Sequence, residues 1–182
     1  KSSLVEESKG TLICEEDLSM EQPIVSGIMN DKNQAKITIK GVPDQPGIAS
    51  KFFIGLAEEN LSVDMIIQNV SDEGHTDISF TVTKEDINKA TKIVQELGKL
   101  IEARNISADP NICKVSIVGA GMRSHPGVAA KMFSALSKEN INIIMISTSE
   151  IRVSCIIEEQ YGELAVRVLH KIFNMTNAEK NS

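Results

Sequence analysis

Hydrophobic positions change their period several times along this chain, and each change happens twice. From Lys36 the apolar residues Ile37, Ile39 and Val42 alternate with polar neighbours as a β-strand does, and Val115, Ile117 and Val118 mark a second such strand from Lys114. A Pro-Gly pair follows each run, Pro46 with Gly47 and Pro126 with Gly127. Beyond it the apolar spacing becomes four. Ile48, Phe52 and Leu56, flanked by Ala49 and Phe53, form one face of a helix, and Val128, Met132 and Leu136 with Ala129 and Phe133 form its double. Each helix is expected to stop at a Glu-Asn pair, because Asn60 and Asn140 tolerate the left-handed conformation of a helix end. Second strands are expected over 63–69 and 143–149, and third strands in "TDISFTVT" and "IRVSCII". A closing helix carries Ile87, Ala90, Ile93, Val94 and Leu97 in the first copy, and Leu164, Val168, Leu169 and Ile172 in the second.

The doubling is a true internal repeat. Pro46, Gly47, Ala49, Lys51, Phe53, Leu56, Glu59, Asn60 and Met65 recur eighty positions later, and the second copy carries two extra residues in the loop before Pro126. Each copy reads β-α-β-β-α-β, a ferredoxin-like α+β unit with a four-stranded antiparallel sheet and two helices on one face. The first copy has a fourth strand in "ARNISAD", whereas the second runs out after Phe173 into polar residues. Residues 21–29, "EQPIVSGIM", form an orphan strand that would complete the second sheet, since an unpaired sheet edge is a liability. The first module is thus expected to be inserted within the second. The expected division is a leading segment at 1–19, the completing strand at 20–34, the first module at 35–110, the second at 111–174 and a disordered tail at 175–182. The helix-free faces require cover, from the other module or from a second chain.

Composition narrows the function. A net charge of −6 argues against nucleic acid and anionic membrane partners, which need clustered Lys and Arg. No apolar run has the length of a membrane span, and cytosol is the simplest reading. Cys14, Cys113 and Cys155 are too few and too scattered for a disulfide framework or a metal site, so reduced thiols are expected. His75, His125 and His170 lack ligand-spaced partners.

The two Pro-Gly turns are the candidate binding seats. A helix N-terminus offers unpaired N–H groups and the positive end of the helix dipole, a seat for a carboxylate. Gly47 and Gly127 admit a ligand close to the backbone, and Asp44 adds a carboxylate suited to an ammonium group; the second copy has Ser124 and His125 instead. Taken alone, each reads first as an ordinary strand-to-helix turn. The segment "VSIVGAGMRS" contains Gly119-x-Gly121, as a dinucleotide-binding turn would. It lacks the third glycine of that motif, and the next strand does not end in an acidic residue.

"VPDQPGIASKFF", "DMIIQNVS", "KVSIVGAGMRSHPGVAAKMF" and "INIIMISTSEIRVSCII" resemble the ACT-domain family and, within it, the regulatory region of aspartate kinases. "KSS" and "GTLI" are similar to the end of that family's kinase domain, and "MEQPIVSGI" to the start of its separately translated regulatory subunits at Met20. The resemblance implies a regulatory fragment of a longer kinase polypeptide, with no catalytic residues of its own; ATP and magnesium are expected only in the kinase domain. It also implies feedback inhibition by L-lysine, L-threonine or both, and homodimers paired through the ACT modules. Effector-binding positions carried over by similarity are Asp44, Gly47, Ile48, Ala49 and Gln68, closed by Asn142 and Ile143, which the repeat maps onto Ser62 and Val63. A second region would use Val128, Ala129, Ser149 and Glu150 with Asp64 of the other module; Ala129 departs from the family's frequent Thr, and Ser62 from its frequent Asn. The alternative is a free-standing ACT sensor that regulates another enzyme.

Overall fold

The computed structural model describes residues 24–70 and 74–174. The readings for 1–19, for Met20 and for the tail at 175–182 lie outside the described residues. Ten principal elements follow one another: β1 (Gly27–Pro43), α1 (Ile48–Glu58), β2 (Ile66–Val70), β3 (His75–Val82), α2 (Ile87–Leu100), β4 (Asn105–Val118), α3 (Val128–Lys138), β5 (Met145–Thr148), β6 (Arg152–Glu158) and α4 (Gly162–Ile172). The two extra loop residues of the second copy fall in a 3₁₀ turn, Ala120–Ser124. Asn60 and Asn140 do end the repeated helices, with φ of 57° and 55°.

The strands form one six-stranded sheet in the order β2-β3-β1-β4-β6-β5, all neighbours antiparallel. This corrects the expectation of two separate four-stranded sheets. β1 runs unbroken through the orphan strand and the first strand of copy one, and β4 joins "NISAD" to the strand that starts copy two. The polar stretches at 31–34 and 109–111 conceal that continuity because each is a bulge. The register passes from Asp31↔Lys114 to Gln34↔Ile112 to Lys36↔Asp109, adding one residue on β1 and then one on β4. The two bulges are made alike. Asn33 N–H donates to Asp31 Oδ1 at 3.0 Å, and Asn111 N–H donates to Asp109 Oδ1 at 2.9 Å. Pro110 fits there because a bulge spares it a ladder hydrogen bond.

Residues 27–31 of β1 pair with 114–118 of β4, whose other side pairs with β6, so the N-terminal strand completes the second module's sheet. The first module is therefore inserted within the second, as the strand count implied. Each helix pair has its own core. Phe52 and Leu56 of α1 and Ala90 and Val94 of α2 cover Ile37, Ile39, Ile78 and Phe80. Met132 and Leu136 of α3 and Ala165 and Leu169 of α4 cover Val115, Ile117, Val153, Cys155 and Ile157. At about 1.5–3 kcal/mol for each fully buried large side chain, these two clusters dominate the stabilisation.

A third cluster lies on the helix-free face, where Met65, Ile112, Met145 and Ile156 pack together. Met65 and Met145 are repeat equivalents at the inner ends of the two outermost strands. Both join the cluster around Ile112 and Ile156, which the twist of the sheet allows. Part of that face is thus covered from within the chain. Cys113 and Cys155 are buried free thiols, and burial pushes them up to about 11 and about 12.

Candidate functional site

In the first module β1 and β2 both run antiparallel to β3, so their C-terminal ends lie at the same end of the sheet, where α1 begins. Asp44 follows β1 and is exposed; its N–H donates to Gly74 O at 2.9 Å. Gly47 is the N-cap of α1 at φ 92°, in the left-handed region that favours glycine, and no side chain caps the helix. A Cβ built at Gly47 meets nothing within 4 Å, so the turn stands open. Ile48 is buried and anchors the helix, and Ala49 is half-buried beside it. Gln68 pairs with Ile78, whose side chain lies in the helix-facing core. Paired residues in antiparallel strands share a face, which puts Gln68 on the α1 side of the sheet. Gly47 and Gln68 are thus assembled at one end and on the helix-bearing face, with Asp44 at the same end. Asn142 and Ile143 lead into β5 at the opposite outer edge of the sheet from β2. A single chain therefore does not bring them to this seat. Ser62 and Val63, their repeat equivalents, lead into β2 in the same way, Ser62 exposed and Val63 packed on the first core.

The second module repeats the turn. Gly127 caps α3 at φ 96° with no side-chain cap, and a Cβ there also meets nothing. Its surroundings differ. Val128 and Gly127 line a cavity of about 400 Å³ with Ile24, Val25, His125, Lys131 and Phe173. His125 Nδ1 lies 2.7 Å from Gly121 O, and the Lys131 ammonium sits 5.1 Å from the centre of the Phe173 ring. Ala129 is half-buried at the start of α3.

Residues carried over for the second region separate onto two faces. Ser149 and Asp64 line one groove of about 260 Å³ with Met65, Lys114, Ser147, Arg152 and Ser154. Ser147 pairs with Ser154 and Lys114 with Ile156, so the groove lies on the helix-free face, away from the cavity of Val128. Glu150 sits in the turn closed by Ser149 N–H to Arg152 O at 2.8 Å. The groove is polar in its depths: Ser116 and Ser154 are buried and their hydroxyls lie 2.8 Å apart. Lys114 was not singled out in the sequence. Its Nζ donates to Asp64 Oδ2 and lies 3.7 Å from Asp31 Oδ2. The signal for it was a longer repeat, Asp31-x-Asn33-x-x-Lys36 against Asp109-x-Asn111-x-x-Lys114. Among the described residues no cluster of His, Cys, Asp or Glu is arranged to hold a metal, and no helix is long and apolar enough to cross a membrane.

Comparison with known proteins agrees with this architecture. A family model for the ACT domain matches residues 37–97 and 115–173. An aspartate kinase of Stutzerimonas stutzeri is 55% identical over 171 residues, 93% of this chain and 42% of that protein. An aspartokinase of Helicobacter pylori is 50% identical over 172 residues, 92% of this chain and 42% of the relative. The chain therefore spans about two fifths of the length of the curated relatives it matches. Among solved structures, one of aspartokinase alpha and beta subunits has a TM-score of 0.78 at 55% identity, covering 82% of this chain and 99% of that one. The ligand-free regulatory subunit of aspartate kinase from Thermus thermophilus has a TM-score of 0.78 at 43% identity, with 82% and 99% covered. Two ACT repeats, one inserted in the other, with two solved aspartokinase subunit chains matched over nearly their whole length, lead to one assignment: the chain belongs to the ACT-domain family, as the regulatory region of an aspartokinase.

Proposed function

We propose that this region senses L-lysine, L-threonine or both at the ACT modules, and that occupancy lowers the ATP-dependent phosphorylation of L-aspartate by the kinase domain of the parent polypeptide. The observation that carries the reading is the open turn at Gly47. It offers an uncapped helix N-terminus, with Asp44 and Gln68 at the same end of the sheet and Gln68 on its helix-bearing face. The effector carboxylate would take the free N–H groups of α1, and its ammonium the Asp44 carboxylate. Asn142 and Ile143 of a second copy would close the seat.

Pairing of two chains is supported by the sheet's edges. β2 and β5 are its outermost strands, and the repeat equivalents Ile66 and Ile146 stand 53% and 42% exposed on them. Two unpaired edges bearing apolar residues invite a second copy of the same chain. Ligands held between modules stabilise one relative arrangement, and only such a difference in affinity can shift the kinase.

Calorimetric titration with L-lysine and L-threonine, singly and together, tests the reading, and sedimentation with and without them tests the pairing. Asp44→Ala or Gln68→Ala should weaken binding by about ten- to a hundredfold, since a lost charge-assisted hydrogen bond costs about 1.5–3 kcal/mol. Heat of binding unchanged in both variants would refute the seat. A monomer at micromolar concentration would refute the pairing.

A further inference from the structure

Lys114 stands where the two modules meet. It lies on the helix-free face of β4, in the second module's half of the sheet, with its side chain only 15% exposed. Its ammonium holds Asp64, which belongs to the first module and leads into β2, and it stands beside Asp31 across the β1–β4 ladder. The Asp64 backbone is fixed independently. Asp64 N–H donates to Thr81 O at 3.1 Å, and Met65 N–H donates to the Thr81 hydroxyl at 3.2 Å. What Lys114 adds is a fixed direction for the Asp64 carboxylate at the rim of the groove.

The repeat shows that this is not a general consequence of the fold. Lys36 occupies the matching place in the other half, opposite Asp109 as Lys114 is opposite Asp31. The residue eighty positions after Asp64, however, is Ile144, packed against the apolar cluster of Met65 and Met145. One half of the pseudo-symmetric pair has a clasp, and the other has an aliphatic contact. The clasped half is the one whose groove also holds Ser147, Ser149 and Arg152.

We propose that Lys114 is the positioning residue of the Asp64–Ser149 groove. By occupying Asp64 Oδ2 it holds the other carboxylate oxygen ready for the ammonium of a small zwitterion, whose carboxylate then lies toward Arg152. This rests on the proposed function, in that the groove is taken as a second effector seat.

The test is calorimetry of the full chain with L-lysine and with L-threonine, in an Asp44→Ala background that weakens the first seat. Lys114→Met keeps the apolar stem and removes the charge. It should weaken the residual binding about tenfold, with Lys114→Arg restoring most of it. Asp64→Asn should weaken binding to a like degree, and the double variant no further, because both changes act through one carboxylate. The apparent unfolding midpoint of Lys114→Met, followed in parallel, separates loss of position from loss of fold. Asp64→Asn weakening binding while Lys114→Met leaves it unchanged would overturn the role of Lys114 and spare the seat. No residual binding in the background, or no effect of Asp64→Asn, would overturn the groove as a seat, and the proposal with it.

Discussion

Replacing Gly119 with alanine puts the inserted topology under direct strain. Gly119 follows β4 with φ 173°, an extended conformation open to any residue, so the effect is steric rather than conformational. A Cβ there would lie 2.2 Å from Ile24 O and 2.9 Å from Val25 Cα, both backbone atoms of the segment leading into β1. That segment must move by about an ångström to restore ordinary contact distances. Moving it disturbs two interactions. Val25 is 5% exposed in the second module's core, and Ser26 N–H donates to Val118 O at 2.7 Å. Partial loss of Val25 burial costs about 1–2 kcal/mol and a weakened backbone hydrogen bond about 1 kcal/mol, a destabilisation of about 2–3 kcal/mol. For a chain of this size that lowers the thermal midpoint by roughly 4–12 °C. Denaturant unfolding measures the first quantity, and hydrogen exchange locates it, with protection falling at 26–30 and 115–118 more than in the first module. A cost under about 0.5 kcal/mol, or protection lost evenly over both modules, would refute the seating of the N-terminal segment on Gly119.

Met65→Ala opens a cavity in the cluster on the helix-free face and should cost about 2–4 kcal/mol by chemical denaturation; a cost below about 1 kcal/mol would mean that the modules do not pack there. Gly55→Ala, inside α1, should stabilise by up to about 1 kcal/mol through helix propensity, because the one close contact of the new Cβ is with the side-chain tip of Leu97, Cδ1 at 2.9 Å, with Ile93 Cγ2 at an ordinary 3.6 Å; destabilisation beyond about 1 kcal/mol would show that α1 and α2 cannot yield. Cys113 and Cys155 are raised in the fold from the ordinary 9.0 to about 11 and about 12, so the folded chain binds more protons than the unfolded one above that ordinary value. Their contribution is whole below about pH 9 and is lost as pH rises toward 11 and 12, so folding stability should decline above pH 9, and less steeply in a Cys113→Ala, Cys155→Ala double variant. Equal slopes in urea titrations of the two chains would contradict the burial of the thiols.

The sequence by itself determined the modules. Alternation every second residue, stripes every fourth and a repeat offset of eighty are local properties, and local dihedral preference with one-sided burial is enough to convert them into β-α-β-β-α-β twice over. It also determined the insertion, because a count of strands leaves one sheet short of an edge and one strand without a sheet. The Gly47 turn was legible for the same reason, since a left-handed residue before a helix leaves its mark in the chain itself.

Tertiary structure alone decided how the modules join. Asp31 to Gln34 and Asp109 to Asn111 read as breaks, whereas pairing with each other makes them bulges in two continuous strands, and a bulge has no period of its own. Met65 and Met145 stand in the sequence only as repeat equivalents in separate modules, and it is the single six-stranded sheet that brings them into one cluster. The same sheet places Asp64 against Lys114, fifty residues away, whereas Ser149 and Val128, grouped by the family resemblance, lie on opposite faces of it. Which face a residue occupies follows from its own strand. Which residue it meets across that face depends on the twist summed over every strand between them, and no local pattern carries that sum.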